Sequence, residues 1–394
     1  MGGLQEDAVS MPALLAGALR KQAALVELTR KLVLVESPSS EKAAVDACLA
    51  VAAERARELG ARVETYRRLG FGDVVEARFG QRRRGEKPLL LLGHLDTVWP
   101  LGTLKTMRWR VAEGRLWGPG VLDMKAGVAI ALTAIELLAE VGLPHREIVL
   151  LLTGDEEVGS PESRKLIERV AAECGAALVL EPGQGTAYKT ARKGTGGWRI
   201  EVKGVAAHAG VDFEKGANAL RELARAIETV SGWTDRKRGL TVSVGMAGGG
   251  TASNVIPAEA WAEVDVRIAR ASDGPRIARR FSGLKAMDKR CTVTVTGGIN
   301  RPPMERTRGN ARLFEAARAL AAEIGLTLEE AATGGASDGN LTSVIGVPTL
   351  DGMGAVGEGA HARHESVLVE HLAPRTVLIA GMLTRGIGSG ARGR

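Results

Sequence analysis

Histidines and carboxylates recur in this chain where runs of apolar residues stop. His94 and Asp96 end the leucine run of "KPLLLLGHLDTVWP", Glu156 and Glu157 follow "IVLLLTGD", Glu181 follows "ALVL", and His361 follows "VPTLDGMGAVGEGA". Asp123 stands just before the longest apolar stretch, "AGVAIALTAI". Taken singly, each has a plain structural reading. Asp123 suits a helix N-cap, Glu156 and Glu157 a solvated acidic loop, Glu181 a strand end, and His361 and His364 a surface turn. Taken together, two histidines and three or four carboxylates form a nitrogen and oxygen ligand set suited to divalent zinc. With one carboxylate bridging, such a set can hold two ions roughly 4 Å apart and clamp a water and a carbonyl oxygen between them.

The elements that must position these groups alternate. Apolar spacing predicts helices over 13–35 and 41–59, the second stopped by Gly60. Strands are predicted in "ARVETYR", "DVVEARFG" and "KPLLLLGH", then a helix from about Met124 to Val141, the strand "EIVLLLTG", a helix opened by Ser160 and Pro161, and the strand "GAALVLEP". Buried strands alternating with helices predict an α/β domain on a largely parallel sheet. Ligand sites in such sheets lie at the carboxyl ends of the strands, where the histidines and carboxylates stand. From Gly196 the pattern changes to strand, helix, strand, strand, helix, strand, with the alternation of a sheet exposed on one face, through "CTVTVTGGI". After Pro303 the first texture returns. The expected organisation is therefore one domain over 1–195 and 304–394, with an inserted ferredoxin-like domain over 196–303.

Composition narrows the function classes. With 394 residues and 45% hydrophobic side chains, the chain can bury a large core. Its apolar runs are too short for a bilayer span, and the N-terminus has acidic residues where a secretory signal would be basic. Cys48, Cys174 and Cys291 form no C-x-x-C pair, which suits a reducing compartment, so a cytoplasmic protein is expected. The net charge of +7 invites a nucleic-acid reading. Arginines are dispersed, however, aromatics are 3%, and the dense cluster "QRRRGEK" contains no ring for base stacking. It reads as a solvated hairpin tip, and neither nucleic acid nor membrane is an expected partner.

"GHLDTVWP", "GPGVLDMKAG", "GDEEVGSPESR", "LEPG", "GVAAHAG", "SNVIP", "VDVRIAR" and "GGASDGN" stand in an order that resembles the co-catalytic zinc amidohydrolases: aminoacylases, acetylornithine deacetylase and bacterial glutamate carboxypeptidase. The resemblance runs from about residue 25 to 385 and is nearest to the glutamate carboxypeptidase branch. It implies a zinc exopeptidase-like domain, an inserted dimerisation domain and a homodimer. It also implies two zinc ions per subunit, replaceable by cobalt or manganese. His94, Asp123 and Glu181 match one ion's ligands and Asp123, Glu157 and His361 the other's, with Asp123 bridging. Glu156 matches the general base. Asp96 is expected to accept a hydrogen bond from the His94 ring, since residues i and i+2 of an extended strand face the same way. His208 matches an oxyanion-stabilising histidine that usually acts across a dimer interface. Asn254 and Arg267 match residues that hold the substrate carboxylate, Arg301 is matched as a further carboxylate clamp, and Gly335 belongs to a loop matched to the lining of the substrate pocket. Arg267 could equally face solvent from its strand. The spacing of Glu365 points to His361 as the last ligand, with His364 as the alternative. The implied substrate is an N-acyl amino acid or peptide with a free carboxylate, glutamate-like at its C-terminus, with an N-acyl amino acid deacetylase as the runner-up.

Two rivals come from other classes. Gly335-Ala336-Ser337-Asp338-Gly339 fits G-x-S-x-G, with Asp351 and His361 following in the order of an α/β-hydrolase triad, although a bare five-residue motif recurs by chance. A zinc-dependent binding protein without catalysis would keep the ligands but has no use for Glu156.

Overall fold

The computed structural model describes residues 10–143 and 145–386. The first nine residues of the N-terminal stretch read above for a secretory signal lie outside them. The chain runs through α1 (Met11–Leu34), α2 (Lys42–Glu58), β1 (Arg62–Tyr66), β2 (Gly72–Phe79), β3 (Leu89–His94), α3 (Ala126–Glu140), β4 (Ile148–Gly154), α4 (Arg164–Glu173) and β5 (Ala176–Val179). The insertion contributes β6 (Gly194–Lys203), α5 (Ala219–Ser231), β7 (Thr241–Gly249), β8 (Glu259–Ile268), α6 (Asp273–Ser282) and β9 (Thr292–Arg301). Then follow α7 (Arg308–Ala322), α8 (Gly339–Val344), β10 (Thr349–Leu350) and α9 (Leu372–Gly381).

The first sheet has the order β1-β2-β4-β3-β5-β10. The strands β4, β3, β5 and β10 are parallel, while β1 and β2 form an antiparallel edge, so the sheet is mixed. Side chains on a strand alternate between faces, and the leucines of β3 divide accordingly. Leu89 and Leu91 join the core made with α1, α2, α3 and α9, whereas Leu90 and Leu92 join the core under α4 and α8. A strand buried on both faces reads as an unbroken apolar run for this reason. The segment "QRRRGEK" joins β2 to β3, which do not pair with each other; β4 lies between them, so this is a crossover loop and not the expected hairpin tip. The predicted start of α4 also moves. Asp155 Oδ2 accepts the backbone N–H groups of Glu162 and Ser163, at 2.8 and 3.0 Å, and the helix begins at Arg164, not at Pro161.

The chain divides into two compact units. One comprises Met1–Thr190, Arg306–Ala332 and Ser337–Arg394; the other comprises Ala191–Glu305 with Thr333–Ala336. Residues 191–195, 304–305 and 333–336 thus cluster with the insertion, where the sequence reading had left them outside it. The cause is visible in the main chain: Lys193 N donates to Thr333 O at 3.0 Å, and Arg192 exchanges backbone hydrogen bonds with Met304. The second unit is an antiparallel sheet of order β7-β8-β6-β9 with helices α5 and α6, a ferredoxin-like arrangement. Its core includes Trp198 stacked on Phe281, ring centroids 4.4 Å apart. Among the described residues no helix is long and apolar enough to cross a membrane.

Candidate metal centre

Strands β3 and β4 run parallel, and their ends put His94 beside the Glu156–Glu157 turn. Asp123 arrives on an irregular turn, Val121–Lys125, whose backbone leaves helical geometry at Asp123 (φ −115°, ψ 93°) and Met124. It therefore does not cap α3, as the plain reading had it. Glu181 lies just beyond β5. His361 lies on a loop between two short strands, Gly357–Glu358 and Ser366–Leu368, which continue into Arg115–Trp117 and Arg110–Ala112 as a small sheet that the sequence did not reveal. His361 adopts a positive φ of 62°, a region uncommon for residues other than glycine and enriched at functional sites.

The groups converge. His94 Nε2 lies 3.2 Å from Asp123 Oδ1 and 3.6 Å from Glu181 Oε1. His361 Nε2 lies 3.3 Å from Asp123 Oδ2 and 3.2 Å from Glu157. One oxygen of Asp123 thus faces each histidine. Two overlapping triads, His94–Asp123–Glu157 and His94–Glu156–Glu181, each offer ligand atoms within 4.8 Å of one another. Both cut across the expected grouping by ion, and the second brings the Glu156 carboxylate among the ligand atoms. His94 is 2% exposed at its side chain and His361 50% exposed, so the cluster has a closed and an open side.

Electrostatics define what this cluster holds. Burial opposes a charge on His94, yet hydrogen bonds to Asp123, Asp96 and Glu181 outweigh it and raise its pKa well above the ordinary imidazole value. Hydrogen bonds to Asp123 and Glu157 raise His361 to about 10. Burial disfavours the Asp123 carboxylate, but the two histidines hold its pKa below the usual range. Burial lifts Glu157, with Asp123 adding like-charge repulsion against the His361 contact. The pocket demands positive charge, and its imidazole nitrogens and carboxylate oxygens fit divalent cations of the zinc type. His94 Nδ1 faces the Asp96 carbonyl oxygen at 3.0 Å, which turns Nε2 toward the carboxylates as in a metal-ligating imidazole.

That contact revises the expectation for Asp96. Its carboxylate lies 3.4 Å from the His94 ring, farther than its own carbonyl does. Oδ1 instead accepts the backbone N–H of Glu156 at 3.1 Å, and Oδ2 accepts Glu157 N–H at 3.1 Å and Ser39 Oγ–H at 2.7 Å. Ser39, in the "SPSS" turn before α2, is a partner that no sequence signal singled out.

The serine-hydrolase reading is corrected. Ser337 is fully buried, and its Oγ donates to Asp351 Oδ2 at 2.6 Å while accepting Gly339 N–H at 3.1 Å. A hydroxyl donating directly to a carboxylate inside the core is a structural link, not a nucleophile activated by histidine.

The remaining candidates stand on the second unit. His208 pairs with Val255 in a two-residue ribbon, and Ala209 N donates to Asn254 O at 2.9 Å, so His208 and Asn254 are neighbours. His208 Nδ1 accepts two backbone N–H groups, from Gly210 at 3.1 Å and Val211 at 3.2 Å. This selects the tautomer with the proton on Nε2, an outward-facing donor. Arg267 is held by Asp265 through bonds of 2.9 to 3.1 Å on a half-exposed strand face, the solvent-facing alternative its alternation had left open. Arg301 is buried at the end of β9. Gly335 O accepts from Arg192 Nη1 at 3.2 Å.

A fold of this kind bearing this cluster has relatives. The chain belongs to peptidase family M20/M25/M40, whose model matches residues 90–385. It is a metal-dependent hydrolase acting on amide or peptide C–N bonds. It is 31% identical over 388 residues to carboxypeptidase G2 of Pseudomonas sp. (strain RS-16), covering 96% of this chain and 92% of that one. It is 29% identical over 374 residues to succinyl-diaminopimelate desuccinylase of Stenotrophomonas maltophilia (strain R551-3), covering 89% and 95%. The solved aminopeptidase PepT of Bacillus cereus ATCC 10987 shares the fold, with a TM-score of 0.80 at 24% identity over 93% of this chain and 98% of that one.

Proposed function

We propose that the protein is a two-zinc amidohydrolase that releases an amino acid with a free carboxylate, glutamate-like in the first instance, from an N-acyl or peptide substrate. The observation that carries this reading is Asp123, whose Oδ1 and Oδ2 face His94 and His361 respectively. His94 and Glu181 would hold one ion and Glu157 and His361 the other, with Asp123 between them and cobalt or manganese as substitutes. When bound, the ions would polarise the scissile carbonyl and lower the pKa of water.

Glu156 takes a proton from the attacking water and delivers it to the leaving nitrogen as the C–O bond forms and the C–N bond breaks. The Nε2–H of His208 stabilises the oxyanion of the tetrahedral intermediate. Arg301, Arg267 and Asn254 recognise the free carboxylate, with Gly335 lining the pocket; for Arg267 this requires release from Asp265. The enzyme acts as a homodimer in the cytoplasm, a compartment that suits its three free, buried cysteines. The similarity to carboxypeptidase G2 favours release of a C-terminal amino acid; that to the desuccinylase keeps N-acyl amino acid deacylation as the second reading.

A release assay over N-acyl and dipeptide substrates, run with zinc, cobalt and manganese, tests the proposal. Release of C-terminal glutamate supports it, and release confined to N-acetylated basic amino acids moves the assignment to the deacetylases.

A further inference from the structure

Glu365 touches neither histidine of the cluster, yet its carboxylate is saturated with donors. Oε1 accepts the backbone N–H groups of Leu122 and Asp123, at 2.8 and 3.1 Å, and Oε2 accepts Gly120 N–H at 2.9 Å and Trp99 Nε1–H at 2.8 Å. The side chain is 1% exposed. A carboxylate is removed from water only at considerable cost, and here four donors replace that water. Three of them come from Gly120 and from the first turn of the Val121–Lys125 segment that carries Asp123, where N–H groups have no acceptor one turn earlier in the chain. The same short segment supplies His361, which faces Asp123 Oδ2. Asp123 is therefore held at its backbone by Glu365 and met at its carboxylate by His361, four residues earlier.

We propose that Glu365 is a positioning residue that fixes the Asp123 backbone so that the two carboxylate oxygens can serve different ions; the second half of this statement rests on the two-ion reading above. Glu365→Gln is nearly isosteric but replaces one oxygen by an NH2 group, which must then face two N–H donors. Glu365→Asp keeps the acceptors on a shorter stem, and Trp99→Phe removes a single donor.

The experiment compares full-length wild type with these three variants by two readouts. The first is amide hydrogen exchange over residues 118–126 in metal-free protein. The second is cobalt(II) titration followed by visible absorption, with kcat and KM measured in parallel. Glu365→Gln should exchange faster across that segment alone, and should lose about 10- to 100-fold in cobalt affinity or kcat with KM nearly constant. Trp99→Phe should lie between wild type and Glu365→Gln, and Glu365→Asp should recover part of the loss. Wild-type exchange in both Glu365→Gln and Trp99→Phe would overturn the proposal. So would a lowered melting temperature with exchange, cobalt spectrum and kcat unchanged. Should Glu365→Gln not fold, Trp99→Phe decides by the same criteria. A wild-type protein that binds fewer than two cobalt ions would refute the two-ion reading, while the exchange result would still decide whether Glu365 positions Asp123.

Discussion

The Glu156 backbone N–H donates to Asp96 Oδ1 at 3.1 Å, closer than the 3.4 Å that separates this oxygen from the His94 ring. Asp96 thereby sets where the Glu156–Glu157 turn sits relative to β3, with Ser39 holding the second oxygen from behind. Burial disfavours its charge, but His94, Ser39 and the Glu157 N–H together keep its pKa below the ordinary value. Asparagine at this position keeps one acceptor and turns an NH2 group toward donors. Asp96→Asn should fold and should lose about 10- to 100-fold in metal affinity or turnover. Steady-state kinetics with metal analysis checks this, and wild-type values for both would exclude the role.

Glu156→Gln separates the base from the ligands. The variant should retain its metal content by elemental analysis and lose turnover by at least about 10²-fold. Retained turnover would remove Glu156 as the proton carrier, and lost metal would make it a ligand, a role its place in the His94–Glu156–Glu181 triad permits.

His208 should act as a donor through Nε2, since two backbone N–H groups occupy its Nδ1. His208→Ala is expected to lower kcat by about 10²- to 10³-fold with unchanged metal content. His208→Gln, which can present an N–H from a similar reach, should regain part of that loss. Equal kcat in the alanine variant and wild type would rule out oxyanion stabilisation by this residue.

Gly127 lies where α3 begins, and a methyl group there would meet the carbonyl oxygen of Leu180 at 2.2 Å. Neither backbone can yield easily, and Leu180 precedes Glu181. Gly127→Ala should destabilise the fold by about 1–3 kcal/mol and weaken metal binding through Glu181. Thermal unfolding and metal titration measure the two effects.

Chelation should abolish activity and added zinc or cobalt should restore it, whereas a serine-directed phosphonate should leave the rate unchanged. The buried Ser337 hydroxyl, bonded to Asp351, is the reason for the second expectation. Phosphonate inactivation with survival of chelation would reinstate a serine mechanism.

The features legible in the sequence are those with local periodicity or motif context. The leucines of β3, the alternation in β6 and β8, and the histidines and carboxylates after apolar runs announce themselves in consecutive residues. What stayed hidden depends on residues distant in the chain. Ser39 reaches Asp96 across 57 positions and Trp99 reaches Glu365 across 266, and neither pairing has a local signature. The antiparallel edge of β1 and β2 was missed because strand direction is not written in side-chain alternation. Asp96 was legible in part: the i, i+2 rule brings its carboxylate within 3.4 Å of the His94 ring, but β3 ends at His94, and the closer donors to its oxygens come from Ser39 and the Glu156–Glu157 turn.

The leucines of β3 also say which genetic changes this strand can bear. Because neighbouring leucines belong to cores on opposite faces, exchanging one for isoleucine or methionine alters only a local fit. Loss of a single codon is a different event. It would hand each layer the other's side chains and rotate His94 to the wrong side of the sheet. The segment is tolerant in spelling and intolerant in length, so a deep mutational scan should find substitutions accepted where every one-residue deletion is lethal to activity.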